Sequence, residues 1–187
     1  MAEDQSYPRV KKFFFLFIFI LSFSKANSEN FKFIKIANLN NPWGSSFLNN
    51  DEMIITEKSG LIKIVNIINN QVNDVEHNLN FLEDGQGGLL DILHQENKVW
   101  ISYTENRGNR KTSTSIALAN LDKKNLVFKN IFQANPPINS GYHFGSRLAI
   151  KDNYLYASAG ERGKGMIAQD ASKHPGSIIR IHLDGSI

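Results

Sequence analysis

The chain has 187 residues, of which 41% are hydrophobic and 21% are charged, a composition that is typical of globular proteins and excludes a disordered chain. It contains no cysteine, so a disulfide framework, a thiolate metal site and a cysteine nucleophile are all excluded. The formal net charge is +3, and the length allows one or two domains of ordinary size.

The first predicted element is an export signal in residues 1–26. Three cations within residues 9–12 precede the apolar run 13–23, and small residues follow up to Ala26. The run is shorter than the roughly 20 apolar residues of a membrane span, which favours a cleaved secretory signal. The alternatives are a signal anchor and a buried helix. We therefore expect a periplasmic or secreted protein with no stable membrane partner after cleavage.

Cleavage after Ala26 would change the charge of the protein. Residues 1–26 contain four cations and two anions, so the mature part carries a net charge of +1. Such a chain has no basic stripe for a phosphate backbone, and nucleic acid is excluded as a partner.

From about residue 30 the pattern predicts β-structure throughout. Phe31 to Ile36 alternates apolar and cationic residues with period two and predicts a strand, whereas Asn38 to Gly44 has the composition of a turn. Leu61 to Val65 forms the second half of a predicted hairpin, and Gln71 to Leu79 is a weaker strand. No segment of this part has a sustained helical period, so the predicted fold class is all-β.

Three segments share one plan, which predicts the blades of a β-propeller. They are Gly44 to Glu57, Gly88 to Glu105 and Gly145 to Glu161. Each has a glycine, a short apolar strand, a polar turn, a second apolar strand and a closing glutamate. Repeats of roughly 40–50 residues with about four strands are typical of propeller blades, and a β-sandwich is the alternative. Because propellers have about 4 to 8 blades, we expect residues 27–187 to be the N-terminal part of a longer propeller domain.

One hairpin places chemistry-bearing residues within reach of each other. The chain runs from His143 through an apolar strand and returns at Glu161, which can bring the carboxylate beside the imidazole. A carboxylate in this position fixes the tautomer of an imidazole and raises its basicity, as a general base requires. The alternative is a structural loop histidine beside a surface Arg–Glu pair.

Two other polar residues are candidates for binding. Gln86 lies between glycines, which allow close backbone approach, so its amide could meet a flat polar ligand; a tight turn is the alternative. Asp170 could cap its own loop or contact a substrate. The five histidines lack metal-ligand spacing, and we predict no metal site in this portion.

Several motifs in order resemble those of one enzyme family. They are Gly85 to Asp91 (GQGGLLD), His143 to Leu148 (HFGSRL), Gly160 to Gly163 (GERG) and Ala168 to Asp170 (AQD). This order, at these spacings, is similar to that of the soluble aldose sugar dehydrogenases, the pyrroloquinoline quinone (PQQ) family related to glucose and sorbosone dehydrogenases. The resemblance extends from about residue 38 to residue 187.

The resemblance implies a six-bladed propeller, about three blades of which are in this chain, with PQQ and calcium at its top centre. It implies that His143 is the base that takes the proton from the anomeric hydroxyl of an aldose, while hydride passes to the quinone and a lactone forms. Glu161 would orient that histidine, and Gln86 would lie against the cofactor. An external electron acceptor would then reoxidise the cofactor.

The family's cationic PQQ clamp and its calcium loop lie in later blades, so we expect this chain alone to bind PQQ weakly and to be inactive. Lys164 and Gly165 replace a more acidic tip, which puts substrate contacts there in question. Two other functions remain as alternatives. One is a non-catalytic extracytoplasmic propeller that binds glycans or proteins, and the other is a calcium-dependent lactonase-type propeller.

Overall fold

The computed structural model describes residues 31–186, and in them the chain forms three β-sheets in chain order. The first sheet, or first blade, contains β1 (Pro42–Phe47), β2 (Glu52–Glu57), β3 (Leu61–Asn66) and β4 (Val72–His77). The second blade contains β5 (Leu89–Gln95), β6 (Lys98–Asn106), β7 (Thr112–Asn120) and β9 (Lys129–Gln133). The third contains β10 (Gly145–Lys151), β11 (Tyr154–Ala159) and β12 (Ser177–His182). A 3₁₀ helix, Gly165–Gln169, lies between β11 and β12, and the two-residue strand β8 (Asn125–Leu126) pairs with β4.

Within each blade, each strand pairs antiparallel with the next strand of that blade. The three first strands also share an irregularity, because the register shifts between Pro42 and Ser45 in β1, between Leu89 and Ile92 in β5, and between Gly145 and Leu148 in β10. A β-bulge at the same place in each blade is the structural form of the repeat. The predicted repeats correspond to the hairpins β1–β2, β5–β6 and β10–β11, so the all-β propeller prediction is confirmed.

The middle blade has a hydrophobic core on each side, because successive side chains of β6 point to opposite faces. Val99 and Ile101 pack in one cluster with Ile54 of the first blade. Trp100 packs in another with Leu155 of the third blade. All five residues are almost completely buried, and each such side chain contributes about 1.5 to 3 kcal/mol through burial. This stacking fixes how the ends of neighbouring blades meet.

Two local predictions are wrong. Residues 31–39 form no strand, although the alternation from Phe31 to Ile36 predicted one. A period-two pattern forms a strand only where another strand pairs with it, and the first strand to pair here is β1. The turn predicted over Asn38 to Gly44 ends early, because β1 begins at Pro42. Proline is tolerated there as the first residue of an edge strand.

The predicted export signal, residues 1–26, lies outside the described residues and stays a prediction. Among residues 31–186, no helix combines the length and hydropathy needed to cross a membrane.

Candidate active site

The segment that carries His143 connects β9 to β10 and is held along the start of β7. Ile138 and Thr112 exchange backbone hydrogen bonds of 2.9 and 3.0 Å. Farther along, the Thr114 hydroxyl donates to the carbonyl of Phe144 at 2.8 Å. The second blade therefore positions the loop that enters the third blade.

The end of β11 returns to this loop from the other side. The backbone N–H of Gly160 donates to the Phe144 carbonyl at 2.9 Å, and that of Arg162 donates to the His143 carbonyl at 3.3 Å. The approach at Gly160 leaves no room for a side chain, since a Cβ there would lie 1.8 Å from the His143 oxygen. Glycine at this position allows Glu161 to come beside His143.

His143 and Glu161 are in direct contact, as the hairpin predicted. Nδ1 of His143 forms a short hydrogen bond with Oε1 of Glu161, and the same oxygen accepts a 3.1 Å hydrogen bond from the backbone N–H of Gly163. An ionised carboxylate only accepts hydrogen bonds, so Nδ1 must carry the proton. In the neutral ring Nε2 then keeps its lone pair, and Nε2 makes no hydrogen bond within residues 31–186.

The electrostatics of the pair agree with this arrangement. The hydrogen bond from His143 is the main cause that lowers the pKa of the Glu161 carboxyl below its ordinary value, with smaller help from the Gly163 N–H. The His143 side chain is 54% exposed and that of Glu161 is 27% exposed. Glu161 is thus the more covered partner, and the free nitrogen belongs to an accessible side chain.

Gln86 completes the group from the second blade. The side-chain oxygen of Gln86 accepts a 2.8 Å hydrogen bond from the backbone N–H of His143. The backbone N–H of Gln86 donates to the Gly141 carbonyl at 2.8 Å. Gly85 has a left-handed backbone with φ of 56°, and a Cβ there would lie 2.4 Å from the Gly141 oxygen. The structure therefore brings Gln86, His143 and Glu161 together across two blades.

Asp170 lies in a separate turn after the 3₁₀ helix. Its Oδ1 accepts hydrogen bonds from the hydroxyl and the backbone N–H of Ser172, at 2.6 and 3.0 Å. These bonds lower the pKa of the exposed Asp170 carboxyl. The capping interpretation describes this local geometry, and a contact with substrate stays a prediction. Between residues 31 and 186 no three potential metal ligands of the His, Asp or Glu type cluster together.

Two residues of this region had no role in the sequence analysis. Arg162 is buried beneath the His143 loop, and Asp91 is buried where β5 meets β10. Asp91 accepts hydrogen bonds from the Leu148 N–H at 2.8 Å and from Arg147 at 3.2 Å, which ties β5 to β10. Arginine and aspartate are usually exposed, so no pattern in the sequence marks these two as buried.

The comparisons with known proteins agree with the fold and with the motif order. The sequence model of the family described as Glucose / Sorbosone dehydrogenase matches residues 39–187. The chain belongs to this family. The resemblance stated from the motifs is thereby confirmed.

Three relatives show how far the likeness to this family's members extends. Aldose sugar dehydrogenase YliI of Escherichia coli (strain K12) is 30% identical over 159 residues, which cover 80% of this chain and 43% of that protein. The crystal structure of the soluble Aldose sugar dehydrogenase (Asd) from Escherichia coli in the apo-form gives a TM-score of 0.75 at 28% identity, over 80% of this chain and 46% of that one. The PQQ-bound form of Aldose Sugar Dehydrogenase (Adh) from Streptomyces coelicolor shares the fold, with a TM-score of 0.69 at 23% identity over 79% of this chain and 46% of that one. This glucose/sorbosone dehydrogenase family member thus spans about half the length of the relatives that it matches.

Proposed function

We propose that the full-length protein is a PQQ-dependent aldose dehydrogenase and that this chain supplies its general base. The observation that carries the proposal is the His143–Glu161 pair, in which Nδ1 is anchored and Nε2 is left without a partner among the described residues. Family membership supports oxidation of a sugar as the reaction. The product would be the lactone formed by oxidation at the anomeric carbon.

The residues of the chain handle the proton in this reaction. Nε2 of His143 accepts the proton of the anomeric hydroxyl. Glu161 keeps the other ring proton on Nδ1 and faces the positive charge that the imidazole gains. Gln86 fixes the backbone of His143 through its hydrogen bond and so holds the base in one place. When bound, PQQ supplies the hydride acceptor that no amino-acid side chain provides.

The residues present fit a flat polar cofactor at this position in part. Gln86 is exposed, it adjoins His143, and the flanking glycines add no side-chain bulk. PQQ is a tricarboxylate and needs cationic partners. Two cations of the first and third blades are engaged elsewhere, since Lys58 donates to the Gly85 carbonyl at 2.7 Å and Arg147 to Asp91. This agrees with the expectation that the chain alone binds PQQ weakly.

The remaining parts of the proposal rest on the sequence and on the family resemblance. We propose that residues 1–26 direct export, that calcium is needed for cofactor binding, and that an external acceptor takes the electrons. An aldose is the substrate class. Each of these can be tested on the purified protein.

The decisive experiment is an assay of the full-length protein with PQQ, calcium, an aldose and an artificial electron acceptor. His143→Ala should lower turnover by about 10²- to 10⁴-fold, the usual contribution of a general base. His182→Ala is the matched control, because His182 lies at the far end of the third blade and stacks on Tyr154. The control should keep wild-type rates, and both variants should keep wild-type circular dichroism.

Three outcomes would contradict parts of the proposal. Wild-type turnover in His143→Ala would remove the base assignment. No turnover of any aldose by the wild-type protein, together with glycan or protein binding that His143→Ala does not weaken, would favour the non-catalytic propeller. Activity that survives a calcium chelator would contradict the calcium requirement.

A further inference from the structure

Arg162 is buried directly beneath the His143 loop, with 2% of its surface exposed. Its Nε donates to the Tyr142 carbonyl at 3.0 Å, and Nη1 donates to the Thr112 carbonyl at 3.2 Å. Nη2 donates to the Thr112 hydroxyl at 2.7 Å and also to the Ser140 carbonyl. The guanidinium also stacks on the Phe144 ring, with 3.6 Å between Cζ and the ring centroid. One side chain thus spans the start of β7 and both sides of the His143 loop.

Among the described residues, no carboxylate contacts the guanidinium of Arg162. Its acceptors are carbonyls and a hydroxyl, and the ion pairs found among residues 31–186 do not include it. Burial lowers the pKa of the Arg162 guanidinium to about 10, although the more distant Asp84 opposes this effect. Burying a cation without a carboxylate partner costs free energy. Stability through ion pairing therefore does not account for an arginine here.

The backbone that Arg162 holds has a conformation that needs support. His143 has a left-handed backbone with φ of 50°, which is uncommon for a residue with a side chain. Arg162 contacts the residues on both sides of it, since it donates to the Tyr142 carbonyl and stacks on Phe144. The backbone N–H of Arg162 donates to the His143 carbonyl at 3.3 Å. The side chain thus fixes the direction in which the imidazole leaves the backbone.

We propose that Arg162 is a positioning residue, which holds the 140–144 loop against β7 so that Nδ1 of His143 meets Glu161. This inference deepens the proposed function and rests on it for the catalytic consequence. The planar guanidinium is required, because four hydrogen bonds leave it in different directions within one plane and its face stacks on an aromatic ring. A lysine has the same charge and cannot reproduce this fork.

The test uses Arg162→Lys and Arg162→Met in the full-length protein. Ile181→Val is a control that loosens the core of the third blade away from the loop. We expect both Arg162 variants to lose about 10²-fold in kcat, because small displacements of a catalytic group cost this much, with little change in KM for the sugar. Ile181→Val should keep the wild-type kcat.

A second readout needs neither cofactor nor turnover. In the apo protein, NMR titration of the side-chain carboxyl carbon reports the pKa of Glu161, which the hydrogen bond from His143 lowers. Both Arg162 variants should raise that pKa toward its ordinary value, and Ile181→Val should leave it unchanged. Thr112→Val removes the 2.7 Å hydrogen bond from Arg162 to the hydroxyl and the 3.3 Å hydrogen bond from the hydroxyl to the Ile138 carbonyl, and it should shift the Glu161 pKa less, in the same direction.

The two readouts separate the inference from the proposed function. An unchanged Glu161 pKa in Arg162→Lys, or an equal change in Ile181→Val, would overturn the positioning role whatever the enzyme activity is. A raised pKa in a protein that oxidises no aldose would keep the positioning role and reject the proposed function. If Arg162→Met does not fold, Arg162→Lys and Thr112→Val carry the same comparison.

Discussion

Two carboxylates, Glu161 and Glu105, each organise a polar cluster, and the clusters differ in what they leave unpaired. Glu105 accepts hydrogen bonds from Ser115, Asn130 and Gln133 at 2.7 to 2.9 Å, and its side chain is 11% exposed. Tyr103 adds a 2.6 Å hydrogen bond to Asn130, and its pKa is raised to about 12, mainly by burial. Glu105 thus joins β6, β7 and β9 of one blade.

The Glu161 cluster is built differently. It joins two blades, is more exposed, and ends on an imidazole whose Nε2 has no partner within residues 31–186. Polar groups that are all satisfied hold a structure together, whereas an anchored group with one free atom can react. A carboxylate with several donors therefore indicates a reactive site only when the chain of hydrogen bonds ends on an unpaired atom.

The largest effect is expected when the Glu161 carboxylate is replaced by an amide of the same shape. Glu161→Gln should lower kcat by about 10²-fold, because the amide can donate as well as accept and no longer forces the proton onto Nδ1. The free energy of unfolding should change little, since the pair is exposed. Steady-state kinetics and denaturant unfolding measure both quantities. Wild-type kcat would show that the carboxylate does not orient the base.

Removing the carboxylate of Glu105 should have the opposite pattern of effects, with a loss of stability and no loss of kcat. Glu105→Ala leaves three donors without their acceptor, of which the Ser115 hydroxyl is buried, and should lower the free energy of unfolding by about 2 kcal/mol. The kcat of the folded fraction should stay at its wild-type value. Glu76→Ala, at an exposed position on β4, is the control for loss of a carboxylate. Equal unfolding free energies for the two variants would remove the structural role assigned to the Glu105 cluster.

A smaller effect is expected at Gln86. Gln86→Ala removes one hydrogen bond to the His143 backbone, which is worth about 1 kcal/mol, so kcat should fall by roughly tenfold or less. Gln95→Ala, at the other end of β5, is the matched control and should have no effect. A loss in Gln86→Ala as large as in Glu161→Gln would mean that Gln86 does more than hold the loop.

The smallest expected effect is the pH dependence of the Glu161 contact. The pKa of Glu161 is lowered in the folded protein, so its contribution to stability is present above the ordinary value of 4.5 and is lost as the pH falls through the lowered pKa. The difference in melting temperature between wild type and Glu161→Gln should therefore shrink on acidification from about pH 7 to pH 3. A difference that is constant over this range would show that the native contact does not favour the ionised carboxylate.

The repeating plan of the chain was enough to predict the blades. Glycine, apolar strand, polar turn and closing glutamate recur at Gly44, Gly88 and Gly145, and each recurrence is a bulged hairpin. The strand predicted at Phe31 to Ile36 was wrong, because local alternation carries no information on whether another strand lies alongside.

The all-β class, the hairpins β1–β2, β5–β6 and β10–β11, and the return of Glu161 toward His143 could be predicted from the sequence, since hairpin geometry is local in the chain. Folding alone brings Gln86 from another blade to the His143 backbone and buries Arg162 beneath the loop. Both depend on how blades stack, and stacking joins residues about 50 positions apart through shape and desolvation, which leave no period in the sequence.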